Sequence, residues 1–169
     1  MAKDTHYRYY VEGECEVALL KTLRTDYQCI KPGKIEQFNV LEKKLTWARI
    51  RQLDKGTIVV LVFDTDTDCG NVLEENMKLL KSSHMVKAIF CITQVDNLED
   101  ELERSCKIKI VREITNSKSD SDFKRDFIAL RNLRQKLDSC KFDFPKLWAK
   151  QPKKNYTHIE NEADKIRIR

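Results

Sequence analysis

Three aspartates stand at alternate positions in "VVLVFDTDTDCGN": Asp64, Asp66 and Asp68, directly after a run of β-branched and apolar residues. A second acidic group, "EGECE", sets Glu12 and Glu16 just after the first apolar stretch, "THYRYYV". Like charges this close repel one another, so gathering them beside core sequence points to a compensating cation. Carboxylate oxygens suit hard divalent ions, and magnesium usually takes carboxylates together with water and substrate phosphate. Glu12 and Glu16 lie one helical turn apart, so both can face one site. Two ions held by such carboxylates could position a water and stabilise a leaving oxygen, which is the chemistry of phosphodiester cleavage. For any one of these residues, capping of the following helix is the plain alternative, Asp68 being the best placed for it. Two clusters at matching positions are harder to explain that way.

The elements around them read as alternating strands and helices. Thr5–Val11 is rich in β-branched and aromatic residues and predicts a strand. "ECEVALLKTLRT" follows with helical spacing of Val17, Leu20 and Leu23. "KIEQFNV" predicts a short strand, and "LEKKLTWARIRQL" a helix with Leu41, Leu45 and Ala48 on one face. Thr57–Phe63 is continuously apolar, as a central strand covered on both faces should be. "NVLEENMKLLKSSH" predicts a helix, Val86–Ile92 a buried strand, "NLEDELERSC" a helix, and "KIKIVREI" a last, edge strand. From Phe123 to Leu137 the apolar spacing predicts one long helix. The sum is an α/β chain with an open, mostly parallel, Rossmann-like sheet flanked by helices, and a helical carboxy-terminal extension. In such sheets ligands gather at the carboxyl ends of the strands, where both acidic clusters fall. Gly13 is expected to free the backbone for a sharp turn there.

The totals set bounds. A chain of 169 residues with 41% hydrophobic and 35% charged residues is globular with a highly charged surface. No stretch has the apolar length of a membrane span, and the amino terminus shows no export signal, so a cytoplasmic protein is expected. The six cysteines are scattered without a C-x-x-C pair, which speaks for reduced thiols over a zinc cage. The net charge is +5, and Lys141–Arg169 holds eight Lys/Arg against four Asp/Glu. That basic extension suits a polyanion, or simply keeps the chain in solution.

"YYVEGECE" followed two βα units later by "VVLVFDTDTD" resembles the Toprim domain shared by topoisomerases, primases, RNA maturases and OLD-family nucleases. The resemblance runs from about Tyr7 to Cys106. It maps the family's glutamate onto Glu12 and its D-x-D onto Asp64 and Asp66, with Asp68 in the next alternating place. The E-G-x-x-E form, Glu12 to Glu16, is closest to the OLD type. No G-x-x-x-x-G-K-[ST] motif is present, so the ATPase module of full OLD proteins is missing. What the resemblance implies is a stand-alone Toprim-like domain over residues 5–114, a helical extension over 115–150 and a basic tail over 151–169. It implies a Mg²⁺- or Mn²⁺-dependent nuclease acting on DNA or RNA, in nucleic-acid processing or phage defence. Homodimerisation, or a partner ATPase or toxin, follows by the same analogy.

Further candidates are weaker. Glu99 follows the fourth strand and could serve a second metal, with Asn97 as helix cap and Asp100 in the first turn as the alternative. Lys118 could stabilise charge on a cleaved phosphate. Lys124, Arg125, Arg131 and Arg134 could track phosphates. Trp148 and Tyr156 could stack on bases, although "FPKLWAK" reads better as a turn docked on the body. His6, His84 and His158 have no ligand spacing. Two other classes compete with the nuclease. One is a non-catalytic Toprim subunit that binds or senses nucleic acid. The other is a response-regulator-like module phosphorylated on Asp64, for which Lys107 or Lys109 would be a poor partner lysine.

Overall fold

The computed structural model describes residues 5–168. Its centre is a four-stranded sheet of β1 (Tyr7–Val11), β2 (Lys34–Gln37), β3 (Thr57–Asp64) and β4 (Val86–Gln94), in the order β2-β1-β3-β4 with every pair parallel. The expected Rossmann-like open α/β architecture is therefore present. The chain steps from β1 outward to β2, then returns to the other side of β1 for β3. Between β1 and β3 the loops diverge, and that crevice is where open α/β sheets bind ligands.

Period-two alternation splits the strands between two cores. Tyr9 and Val11 of β1, with Ile58, Val60 and Val62 of β3, face one layer. That layer holds α1 (Glu14–Thr25), α4 (Leu98–Ser105), α5 (Asp120–Ala129) and α6 (Leu133–Ser139). Tyr10, Val59, Leu61 and Phe63 face the other, with α2 (Trp47–Ile50) and α3 (Asn71–Lys81). The same alternation continues to Asp64 and Gln94, which turn toward the α1 layer. The register of β3 with β4 pairs these two residues.

Three expected elements differ. "KIKIVREI" is not an edge strand but a loop closed by a 3-10 turn, Val111–Ile114, whose Val111 and Ile114 are buried three apart. The place it would occupy is taken. The Glu162 N–H donates to the Cys91 carbonyl at 2.8 Å, the Cys91 N–H donates to the Glu162 carboxylate at 3.0 Å, and the Asn161 side chain donates to the Thr93 carbonyl at 3.1 Å. The helix read from Leu41 shrinks to the single turn of α2. Asn76, buried in α3, holds the preceding loop by accepting from the Leu45 N–H and donating to the Val40 and Lys43 carbonyls. The long helix breaks at Leu130. Leu130 takes extended backbone, at ψ 125°, and α6 restarts at Leu133 after Asn132, with Phe127 and Leu133 both buried.

The carboxy-terminal residues lie on the body rather than trailing from it. Leu147 and Trp148 join the α1 layer, Tyr156 and Ile159 the α3 layer, and Arg167 bridges to Ile30. All six cysteines are free thiols. No helix among the described residues is long and apolar enough to cross a membrane.

Candidate functional site

The carboxylates of the two motifs meet at the switch point. Glu12 leaves β1 and its Oε2 accepts the backbone N–H of Asp64 at 3.1 Å, joining segments 52 residues apart. Glu16, one turn into α1, is 6% exposed, and its Oε2 accepts the Gly13 N–H at 3.0 Å. Gly13 is extended, at φ −140°, so the expected sharp turn is not its reason for being glycine. A Cβ there would lie 3.0 Å from Glu16 Oε2, so the hydrogen makes room for that carboxylate.

Between Asp64 and Glu16 stands Gln94, fully buried at the end of β4. Its Nε2 donates to Asp64 Oδ1 at 2.5 Å and to Glu16 Oε1 at 3.2 Å, and its Oε1 accepts from the Trp148 indole N–H at 3.4 Å. Sequence reasoning missed this residue. The signal was the strand register, since β4 runs two residues past Ile92 and so carries Gln94 level with Asp64.

Crowding shows in the acidities. Burial first, then the charges of Glu12 and Glu16, push the Asp64 carboxyl up to about 8, against the opposing pull of the Gln94 amide. Burial also raises Glu12, with Glu16 and Asp66 adding to it while the Asp64 N–H opposes it. Glu16 is raised chiefly by burial, opposed by its hydrogen bonds. At neutral pH, without a cation, Asp64 thus keeps a proton. A cleft of about 260 Å³ opens onto Glu12, Glu16 and Asp64, with Glu99, Lys124 and the half-exposed Ile128 along its wall.

The other predicted residues divide. Asp66 is exposed and lines a second cleft, of about 400 Å³, with Asp64, Glu99, Asp100 and Lys124. Glu99 lies in both clefts, where the Lys124 Nζ sits 3.2 Å from its Oε1 and is raised in pKa by that charge. Asn97 caps α4 by accepting the Asp100 N–H at 3.0 Å, as the capping alternative predicts. Asp68 neither caps α3, whose N-cap Gly70 has no side-chain partner, nor lines either acidic cleft. Its Oδ1 instead accepts from the Asn155 amide at 2.8 Å. Lys118 is exposed in the turn before α5 and lines neither cleft; the lysine that reaches the carboxylates is Lys124.

Arg125 pairs with Asp122 and Asp126, and Arg134 with Asp138, leaving little of the predicted phosphate stripe. Trp148 and Tyr156 are buried, at 2% and 1% exposure, and offer no face for base stacking. A larger cavity, about 640 Å³, lies away from the carboxylates between α3 and residues 155–162.

The donor set here is hard oxygen throughout, which fits magnesium or manganese over zinc. Among the described residues, no three His, Cys, Asp or Glu side chains are drawn together tightly enough to enclose an ion. An ion at this edge would have to be held by one or two carboxylates and completed by water, since no closed cage is formed. Compared with known proteins, the chain matches no family model, no curated protein and no solved structure.

Proposed function

We propose that this chain is a Mg²⁺- or Mn²⁺-dependent nuclease of Toprim type, hydrolysing phosphodiester bonds of DNA or RNA at the carboxyl edge of its sheet. The observation that carries the reading is the meeting of Glu12 and Asp64 at the switch point, with Asp64 half-buried, where desolvation first and then like charges raise it to about 8. A desolvated carboxyl crowded in this way is costly to ionise unless something positive arrives. Glu12 and Asp64 would hold the ion, with Asp66 reaching from the following loop. The bound ion would supply Lewis acidity and lower the pKa of a coordinated water. Asp64 would release its proton to admit the ion, Glu12 would keep the Asp64 backbone in place, and Lys124 would face phosphate charge from the cleft rim. Asn155, bound to Asp68, brings the neighbouring exposed Lys153 and Lys154 near the aspartate loop, and these, with the exposed Lys150, would supply contacts to a phosphate backbone.

A cytoplasmic setting, a part in phage defence or nucleic-acid processing, and a partner ATPase, toxin or second copy belong to the same proposal. One further reading has specific support. A non-catalytic subunit that binds nucleic acid would agree with the open carboxylate arrangement and with Gln94 filling the space between Asp64 and Glu16.

Cleavage of labelled DNA and RNA with Mg²⁺ or Mn²⁺ separates the two. Activity in the parent that falls to background in Asp64→Asn and Asp66→Ala is expected. Equal cleavage by parent and Asp64→Asn removes the nuclease mechanism, and binding without turnover selects the second reading.

A further inference from the structure

Gln94 has two ends with opposite demands. An indole N–H can only donate, so the oxygen of the amide must face Trp148, and its NH₂ group must then face the two carboxylates. The reversed amide would set its N–H groups against the indole N–H, which has no lone pair to accept them. Trp148 is itself fixed. Its backbone N–H donates to Glu101 Oε2 at 2.9 Å, and Glu101, fully buried, is held by Arg104 at 2.8 Å and by the Val95 N–H at 2.9 Å. Trp148 also sits at φ +57°, a conformation that L residues with large side chains rarely adopt and that the surrounding contacts must impose.

We infer that Gln94 is a positioning residue for the Asp64 and Glu16 carboxylates, and that Trp148 sets the direction of its amide, so that the carboxy-terminal segment is a working part of the site. The inference rests on the cation reading for its functional consequence but not for its coupling. Asp64 cannot exchange its partner without disturbing the amide that the indole touches. Occupancy at the carboxylates must therefore be felt at Trp148, and loss of the indole donor must be felt at the carboxylates.

The test begins without metal. In ¹⁵N-labelled full-length protein carrying Trp47→Phe, one indole N–H resonance remains, that of Trp148. Asp64→Asn and Gln94→Met are expected to move it by more than its linewidth, while Lys55→Gln, at the opposite end of β3, leaves it in place. An unmoved resonance in both site variants overturns the inference, whatever the metal does. Mg²⁺ or Mn²⁺ is then titrated by calorimetry and by the same resonance. The expected result is a common midpoint in the parent and about ten-fold weaker affinity in Trp148→Phe, which keeps the aromatic packing. Unchanged affinity in a folded Trp148→Phe denies the segment its role. Should the parent bind neither ion while Asp64→Asn still moves the indole, the cation reading fails and the positioning of the carboxylates by Gln94 stands.

Discussion

Asp64 and Glu101 are both carboxylates at the sheet's carboxyl edge, yet they live in opposite electrostatic circumstances. Glu101 is fully buried, accepts two backbone N–H groups, and has the Arg104 guanidinium 2.8 Å away as its counter-charge. Asp64 has one neutral amide for a partner and three further carboxylates, Glu12, Glu16 and Asp66, for neighbours. Folding has given the first a donor on each oxygen and a counter-charge, and left the second short of positive charge. A group satisfied like Glu101 is holding structure together, here the end of β4, α4 and Trp148. A group left like Asp64 costs stability when ionised, and that cost makes sense where a ligand is to meet it.

Four experiments would break or sharpen that contrast. Glu101→Ala should be the most damaging to the fold. It strands Arg104 and two backbone N–H groups, and about 3 kcal/mol of stability, or roughly a 10 °C fall in melting temperature, is expected by calorimetric scan. Asp64→Asn should leave the fold intact while weakening Mg²⁺ or Mn²⁺ about 100-fold, read by titration calorimetry. The parent's affinity should also rise with pH up to about 8 and level off above it, because the ion displaces the Asp64 proton. A pH-independent affinity would mean that Asp64 is not the ligand. Exchanging Lys150, Lys153 and Lys154 together for Gln should weaken binding of a single-stranded oligonucleotide about ten-fold in EDTA. The salt slope should flatten by about 2, three phosphate contacts at roughly 0.7 each. The same exchange at Lys34, Lys55 and Lys87, on the far edge of the sheet, controls for net charge.

The smallest effect concerns the stability of the metal-free protein. The folded state keeps the Asp64 proton up to about pH 8, whereas the ordinary carboxyl loses it at 3.8. Between those values the folded chain binds more protons than the unfolded one, so stability declines as pH rises through the window. Asp64→Asn has no proton to lose and should flatten that decline, so that its melting temperature falls less than the parent's between about pH 5 and pH 8.5. A steeper decline in the variant would reverse the sign assigned here to Asp64.

Much of the edge that carries the site was legible in the sequence because two of its strands are long apolar runs. Thr57–Phe63 and Val86–Ile92 are apolar runs that can only be buried, and their acidic or polar exits must then lie at one end of the sheet. What escaped is what depends on contacts between remote segments. Gln94 looks like any polar residue at a strand end until register sets it level with Asp64. Lys118 and Lys124 are equivalent as letters, and only the turn of α5 decides that Lys124 faces Glu99. "KIKIVREI" alternates as a strand should, but alternation says nothing of whether the sheet has a free side to receive it. The break at Leu130 escaped too, because Phe123, Phe127, Leu130, Leu133 and Leu137 share one face of an unbroken helix, and only the extended backbone of Leu130 separates α5 from α6.

That occupied side has a consequence for handling the protein. By answering the outward amide and carbonyls of Cys91 and Thr93, Asn161 and Glu162 deny neighbouring molecules a template at that end of β4. A version cut before Asn161 would bare that ladder, and clumping through strand-to-strand recruitment is its expected fate, however intact the carboxylates on the adjoining face.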